Sequence, residues 1–329
     1  MRIWMTLLWL ALAATPAMAQ AAEAPTTTME TIVVSGELPG PGMWKISRGD
    51  HVLWILGTLT PLPKRMEWLS SDVEATIAQA QAVLLPPTVK METKIGVFGT
   101  LFLLPTALSA RNNPNDARLV DVVPADLYQR WLALKDKYGL RSKAVEKRRP
   151  VVAAQKLYER AIKRAGLTLE SPVRKVVTKT AKRHKLPITQ PKVEVQINDP
   201  KAALKQFAAT SLDDIDCFSK TLARIETDLQ TMTARANAWA LGDIEALREL
   251  PYTDQNQACA DAFLQSSVAR ERGLDDLRTR LVQAWLASAD STIERHAVSF
   301  ATLPIAELLR PDGVLTELRA RGYQVEAPE

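Results

Sequence analysis

The side chains able to do chemistry in this chain are few. There are three histidines, His51, His184 and His296, and two cysteines, Cys217 and Cys259. A metal site or a nucleophile–base pair needs such groups to converge. His51 falls inside an apolar, strand-like run and His296 at the start of another, while His184 sits among Lys182, Arg183 and Lys185. No Gly-x-Ser-x-Gly elbow and no Gly-x-x-x-x-Gly-Lys phosphate loop occurs. The carboxylates Asp213, Asp214 and Asp216 cluster where a helix is expected to begin, and there they serve as caps and dipole charges. The cysteines pair as a disulfide if the chain reaches an oxidising compartment, and otherwise stay as two buried thiols. No histidine or further cysteine stands near them at zinc-ligand spacing.

The compartment is read from the N-terminus. Arg2 precedes an apolar run from Leu7 to Ala14, and Ala17-Met18-Ala19 has the small-x-small pattern of a cleavage site. Residues 1–19 are therefore expected to be a signal peptide, and the chain periplasmic in a Gram-negative cell, or secreted. Residues 20–42 read as a flexible tail. Within it Met29–Gly36, "METIVVSG", resembles the TonB-contacting segment near the mature N-terminus of outer-membrane receptors, but a local strand pairing with the domain is the better reading. Ile95–Ala110 is apolar but too short to span a bilayer, so it is expected as a buried helix or helical hairpin, and no transmembrane segment remains after signal cleavage.

The elements that position any site follow from periodicity. "MWKISRGDHVLWILGT" gives two strands around Ser47–Asp50, and Ala82–Pro87 is a short buried strand stopped by two prolines. Helical spacing runs over Glu67–Ala82, Leu119–Tyr138, Val151–Ala165, Pro172–His184, Leu204–Leu250 with a break at Gly242-Asp243, and Asp254–Ala287. "LPITQP" and His296–Pro304 read as strands, Gly313–Arg321 as a helix and "YQVE" as an edge strand. The pattern predicts one α/β domain over 43–329, a central mixed sheet with helices on both faces and helical insertions at about 95–180 and 204–290.

Charge is uneven. From Lys135 to Lys192 there are eighteen Lys and Arg against four acids, in a chain whose net charge is +5. Lys147, Arg148, Arg149, Lys182, Arg183, Lys185 and, further on, Arg272 are candidate contacts for an anionic surface or an acidic envelope protein; solvated helix faces are the plain alternative. Nothing interleaves aromatics with the basic residues as a nucleic-acid surface does.

Three segments together resemble the TraB/GumN family, bacterial relatives of the animal Tiki proteases. They are "MWKISRGDHVLWILGTLTPLP", "ARANAWALGDIEALREL" (Ala234–Leu250) and "SFATLPIAELLRPDGVLTELRARGYQVE" (Ser299–Glu326). The resemblance implies a metal-dependent hydrolase, with histidines in two Gly-x-x-His turns and a glutamate at the end of the strand between. Carried across, Thr60 stands at the first histidine's place, Pro86 or its neighbour Pro87 at the glutamate's, and Glu307 at the second histidine's. A further Glu-Arg-Asn signature resembles Glu271-Arg272-Gly273, without its asparagine. No histidine of the chain falls at a ligand position. The expectation is a non-catalytic family member that binds or scaffolds in the cell envelope, with no metal or other cofactor; the alternative is a metal-dependent hydrolase whose site has been rearranged around Glu307.

Overall fold

A computed structural model describes residues 40–93, 95–209, 214–250, 259, 264, 269–270 and 273–328. The expected signal peptide, the tail up to residue 39 with its Met29–Gly36 island, Asp213, Glu271 and Arg272 lie outside them.

The sheet starts from the hairpin that the sequence predicts. β1 (Met43–Arg48) and β2 (His51–Thr58) pair antiparallel, and Gly49 turns between them at φ +57°. After the short β3 (Leu62–Pro63) comes a helix, α1, which covers only Ser71–Gln79 of the expected Glu67–Ala82. β4 (Val83–Leu84) is brief because Pro86 and Pro87 follow at once. The next strands are β5 (Thr88–Thr93), β6 (Leu167–Thr168), β7 (Ile188–Thr189), β8 (Lys192–Ile197), β9 (Val298–Pro304) and β10 (Gln324–Glu326).

β10, β1, β2, β9, β4 and β7 form one mixed sheet in that order. β2, β9, β4 and β7 run parallel, whereas β1 and the edge strand β10 run antiparallel to their neighbours. Consecutive residues of β2 and β9 point to opposite faces, yet Leu53, Ile55, Leu56, Phe300, Ala301 and Leu303 are all buried. A strand buried on both faces belongs to a sheet covered on both, which makes the protein α/β.

The coverings are helical. Between β4 and β7 lie α2 (Val97–Ser109), α3 (Leu119–Val122), α4 (Ala125–Lys137), α5 (Pro150–Arg164) and α6 (Pro172–Arg183). The single helix expected over Leu119–Tyr138 is two, because Pro124 forces Val123 into extended backbone at φ −109°, ψ 149°. Between β7 and β9 lie α7 (Pro200–Ala209), α8 (Asp214–Ala240), α9 (Ile244–Glu249) and α10 (Leu277–Arg295). The expected Asp254–Ala287 helix falls largely outside the described residues, and α10 runs on past it to Arg295. α11 (Ile305–Leu309) and α12 (Val314–Ala320) close the chain before β10.

Two cores share α8. Its C-terminal part, with Ala236 and Trp239, packs into the core of the sheet. Its N-terminal part, with Phe218, Leu222 and Ile225, packs against α4 and α5 around Trp131 and Leu157. Two features were not foreseen. β5 and β8 form a separate parallel ribbon. The apolar run expected to be a buried helix is α2, and it is exposed: Leu101 is 65% and Phe102 82% accessible. Among the described residues no helix is long and apolar enough to cross a membrane.

Candidate functional site

The parallel strands β2, β9 and β4 end at one edge of the sheet, with Thr58 opposite Pro304 and Ala301 opposite Leu84. In open α/β sheets this carboxyl edge is where ligands bind. Thr60 follows β2 by two residues, Pro86 follows β4 by two, and Glu307 lies in the first turn of α11 after β9. The fold therefore brings the three positions to the same edge.

The segment "Trp-x-x-Gly-Asp" supports that edge. Gly242 ends α8 at φ +71°, the amide of Asp243 reaches back to the carbonyl of Ala238 at 2.9 Å, and the Asp243 carboxylate caps α9 by accepting from Ala246 N at 2.9 Å. This tight joint holds Trp239 so that its Nε1 donates to the Gly57 carbonyl at 2.7 Å. Gly57 leaves little room for a side chain: a Cβ there would lie 3.1 Å from side-chain atoms of both Ile305 and Trp44.

Beside the edge is a cavity of about 580 Å³ lined by Leu59, Leu247, Ile305, Arg235, Arg248 and Arg310. Arg235 is 2% exposed, on the same stripe of α8 as Trp239 one turn later. Arg248 is exposed. Glu307 is held in ion pairs: Arg278 Nη2 donates to its Oε1 at 2.9 Å, and Arg310 Nε stands 3.9 Å from its Oε2. Sequence reading had not singled out any of these four arginines.

A divalent metal does not fit these residues. Proline offers no side-chain donor, threonine a neutral hydroxyl, and the one carboxylate is already paired with Arg278. Three guanidinium groups around the cavity oppose a dication further. Among the described residues no three His, Cys, Asp or Glu side chains converge on a point. What the cavity suits is an anion with an apolar body.

The other sequence candidates are dispersed. His51 opens β2, and its Nδ1 donates to the carbonyl of Ile293. His184 is exposed at the end of α6, and His296 caps α10. Lys182 and Lys185 are exposed beside His184, while Arg183 pairs with Glu74 at 3.4 Å. Lys147 is exposed, Arg148 donates to Asn112 Oδ1 at 2.7 Å, and Arg149 is buried against Asp214 with Nε to Oδ2 at 2.8 Å. Asp214 thus ties the first turn of α8 to the start of α5, and Asp216 pairs with Lys220 at 2.7 Å. Cys217 and Cys259 form a disulfide, their Cα atoms 5.0 Å apart.

No curated protein and no solved structure matches this chain. The sequence model of the TraB/PrgY/gumN family matches residues 42–327, a span that begins just before β1 and ends just after β10. The opening hairpin, the Trp239 joint and the closing β9–α11–α12–β10 unit all fall within it, and the chain belongs to the TraB/PrgY/gumN family.

Proposed function

We propose that this protein is an exported, non-catalytic member of its family, a binding or scaffolding protein of the cell envelope. It keeps the sheet edge where the family's chemistry is expected and uses the cavity there to hold an anionic ligand. One observation carries this reading: the positions at the strand ends hold Thr60, Pro86 and an ion-paired Glu307, beside a cavity lined by Arg235, Arg248 and Arg310. Export is supported by the pattern at Arg2–Ala19 and by a disulfide, which persists in oxidising compartments.

The test is direct. The purified chain is titrated with Mn²⁺, Co²⁺ and Zn²⁺ and assayed for peptide hydrolysis. The expected result is no stoichiometric tight binding and no turnover. Metal-dependent turnover that disappears in Glu307→Ala would establish instead a hydrolase with a rearranged site.

A further inference from the structure

α2 is unlike the other helices among the described residues. Its sequence, "VFGTLFLLPTALS", contains no charged residue, and four of its large apolar side chains face solvent. Leu101 is 65% exposed, Phe102 82%, Leu104 51% and Leu108 47%. Leu101, Leu104 and Leu108 follow the i, i+3, i+7 spacing of one stripe, with Phe102 beside it. Single exposed apolar residues are ordinary, but a contiguous patch of this kind marks an interaction surface. A helix of 13 residues is about 20 Å long, too short to cross a hydrocarbon core of about 30 Å and suited to lying in its interface.

The last turn of α2 leads straight into the basic part of the chain. Asn113 N donates to the Lys147 carbonyl at 2.9 Å, Arg149 N to the Arg111 carbonyl at 3.0 Å, and Arg148 to the Asn112 side chain. Next to this junction is a basin of about 530 Å³ lined by Arg118, Tyr128, Lys135, Lys143, Glu146 and Lys147. Glu146 is neutralised where it stands: Lys135 pairs with it, Trp131 Nε1 donates at 3.2 Å and Tyr128 Oη at 3.3 Å. That leaves Arg118, Lys143 and Lys147, against the exposed carboxylate of Asp116 at 3.5 Å from Lys147 and Asp121, which accepts the Arg118 backbone amide. Arg111 adds an exposed cation at the junction itself.

We propose that α2 and this basin are a dock for an anionic phospholipid bilayer. Leu101, Phe102, Leu104 and Leu108 enter the boundary between headgroups and acyl chains, and Arg118, Lys143 and Lys147 meet lipid phosphates. The two halves explain each other. An apolar helix alone would fit a protein groove equally well, but cations at its end complement a surface that is apolar beneath and negative on top. The strand-end cavity plays no part, so this dock stands or falls separately from the ligand-binding reading.

The chain recovered from its cells is sedimented with vesicles of phosphatidylcholine alone, or with one quarter phosphatidylglycerol, at low and high salt. The same is done for Leu101→Ser with Phe102→Ser and for Lys143→Glu with Lys147→Glu; all three forms share one N-terminus. Wild type is expected to partition to anionic vesicles about tenfold or more above neutral ones, with the preference lost at high salt. The α2 variant loses partitioning to both, and the charge variant loses only the anionic preference. Equal partitioning of all three forms, or none by wild type, overturns the dock. So does concentration-dependent self-association of wild type that the α2 variant abolishes without any vesicle binding, which would identify a second copy as the occupant. The charge variant alters only exposed lysines, so it remains informative even if the serine variant misfolds.

Discussion

The Trp239 indole donates to the backbone carbonyl of Gly57 at 2.7 Å, joining the end of α8 to the end of a central strand. Both groups are buried, so neither can turn to water for a replacement. The bond fixes the sheet edge where the family positions gather.

Trp239→Phe keeps most of the ring and removes the donor. The Gly57 carbonyl is then orphaned, at a cost of about 1–3 kcal/mol. Urea unfolding should show a lowered midpoint with an unchanged slope.

Arg149 and Asp214 form an ion pair with both side chains under a tenth exposed. Arg149→Met leaves a buried carboxylate without its guanidinium and is expected to cost about 3–5 kcal/mol. Arg149→Met with Asp214→Leu should recover most of that loss, because apolar groups can replace a buried pair at little cost. A double-mutant cycle by denaturant unfolding checks both figures.

Cys217 and Cys259 close a loop across 42 residues. Mass analysis without reductant should find neither cysteine alkylated. Replacing both by serine is expected to lower stability by about 4 kcal/mol on the chain-entropy account. Free thiols in material taken from the cell envelope would contradict the pairing.

Tyr323 gives the protein an alkaline limit. Burial, and then the Asp290 carboxylate that accepts its hydroxyl at 2.8 Å, push its ionisation up to about 12. The native state thus holds this proton more tightly than the unfolded chain, where tyrosine titrates near 10. The stabilisation is fully present below about pH 10 and is lost as pH rises towards 12. Absorbance at about 295 nm should show a late phase of tyrosine ionisation, to which Tyr128, also raised by burial and by Glu146, contributes, and Tyr323→Phe should remove one tyrosine's share of it.

How far the sequence foretold this protein depends on the range of the interactions. The hairpin at Gly49, the stop at Pro86-Pro87 and the joint at Gly242-Asp243 are set by residues next to one another, and all three were legible. α2 was not, because hydrophobicity without a polar face tells of a helix but not of what covers it. The β5–β8 ribbon was missed although Lys192–Ile197 alternates buried and exposed residues, since its partner lies about a hundred residues away. The cavity was the least legible feature. Arg235, Arg248 and Arg310 come from different helices and a loop, and no spacing relates them. Arg235 alone left a trace, a charge one turn before Trp239 in α8.

The order of strands has a consequence for a chain that emerges N-terminus first, whether from the ribosome or from a translocation channel. β2 forms its hairpin with β1 early, but its other neighbour, β9, is made only when synthesis reaches Val298–Pro304. β4 waits for the same seven residues, and β1 waits longer still for β10. Until nearly the whole chain has emerged, three strands of the sheet expose open edges of the kind that recruit other chains. A product cut short before Ser299 keeps α1 to α10 but loses α11, α12 and the keystone of its sheet, and it should be found in aggregates or degraded rather than as a smaller working protein.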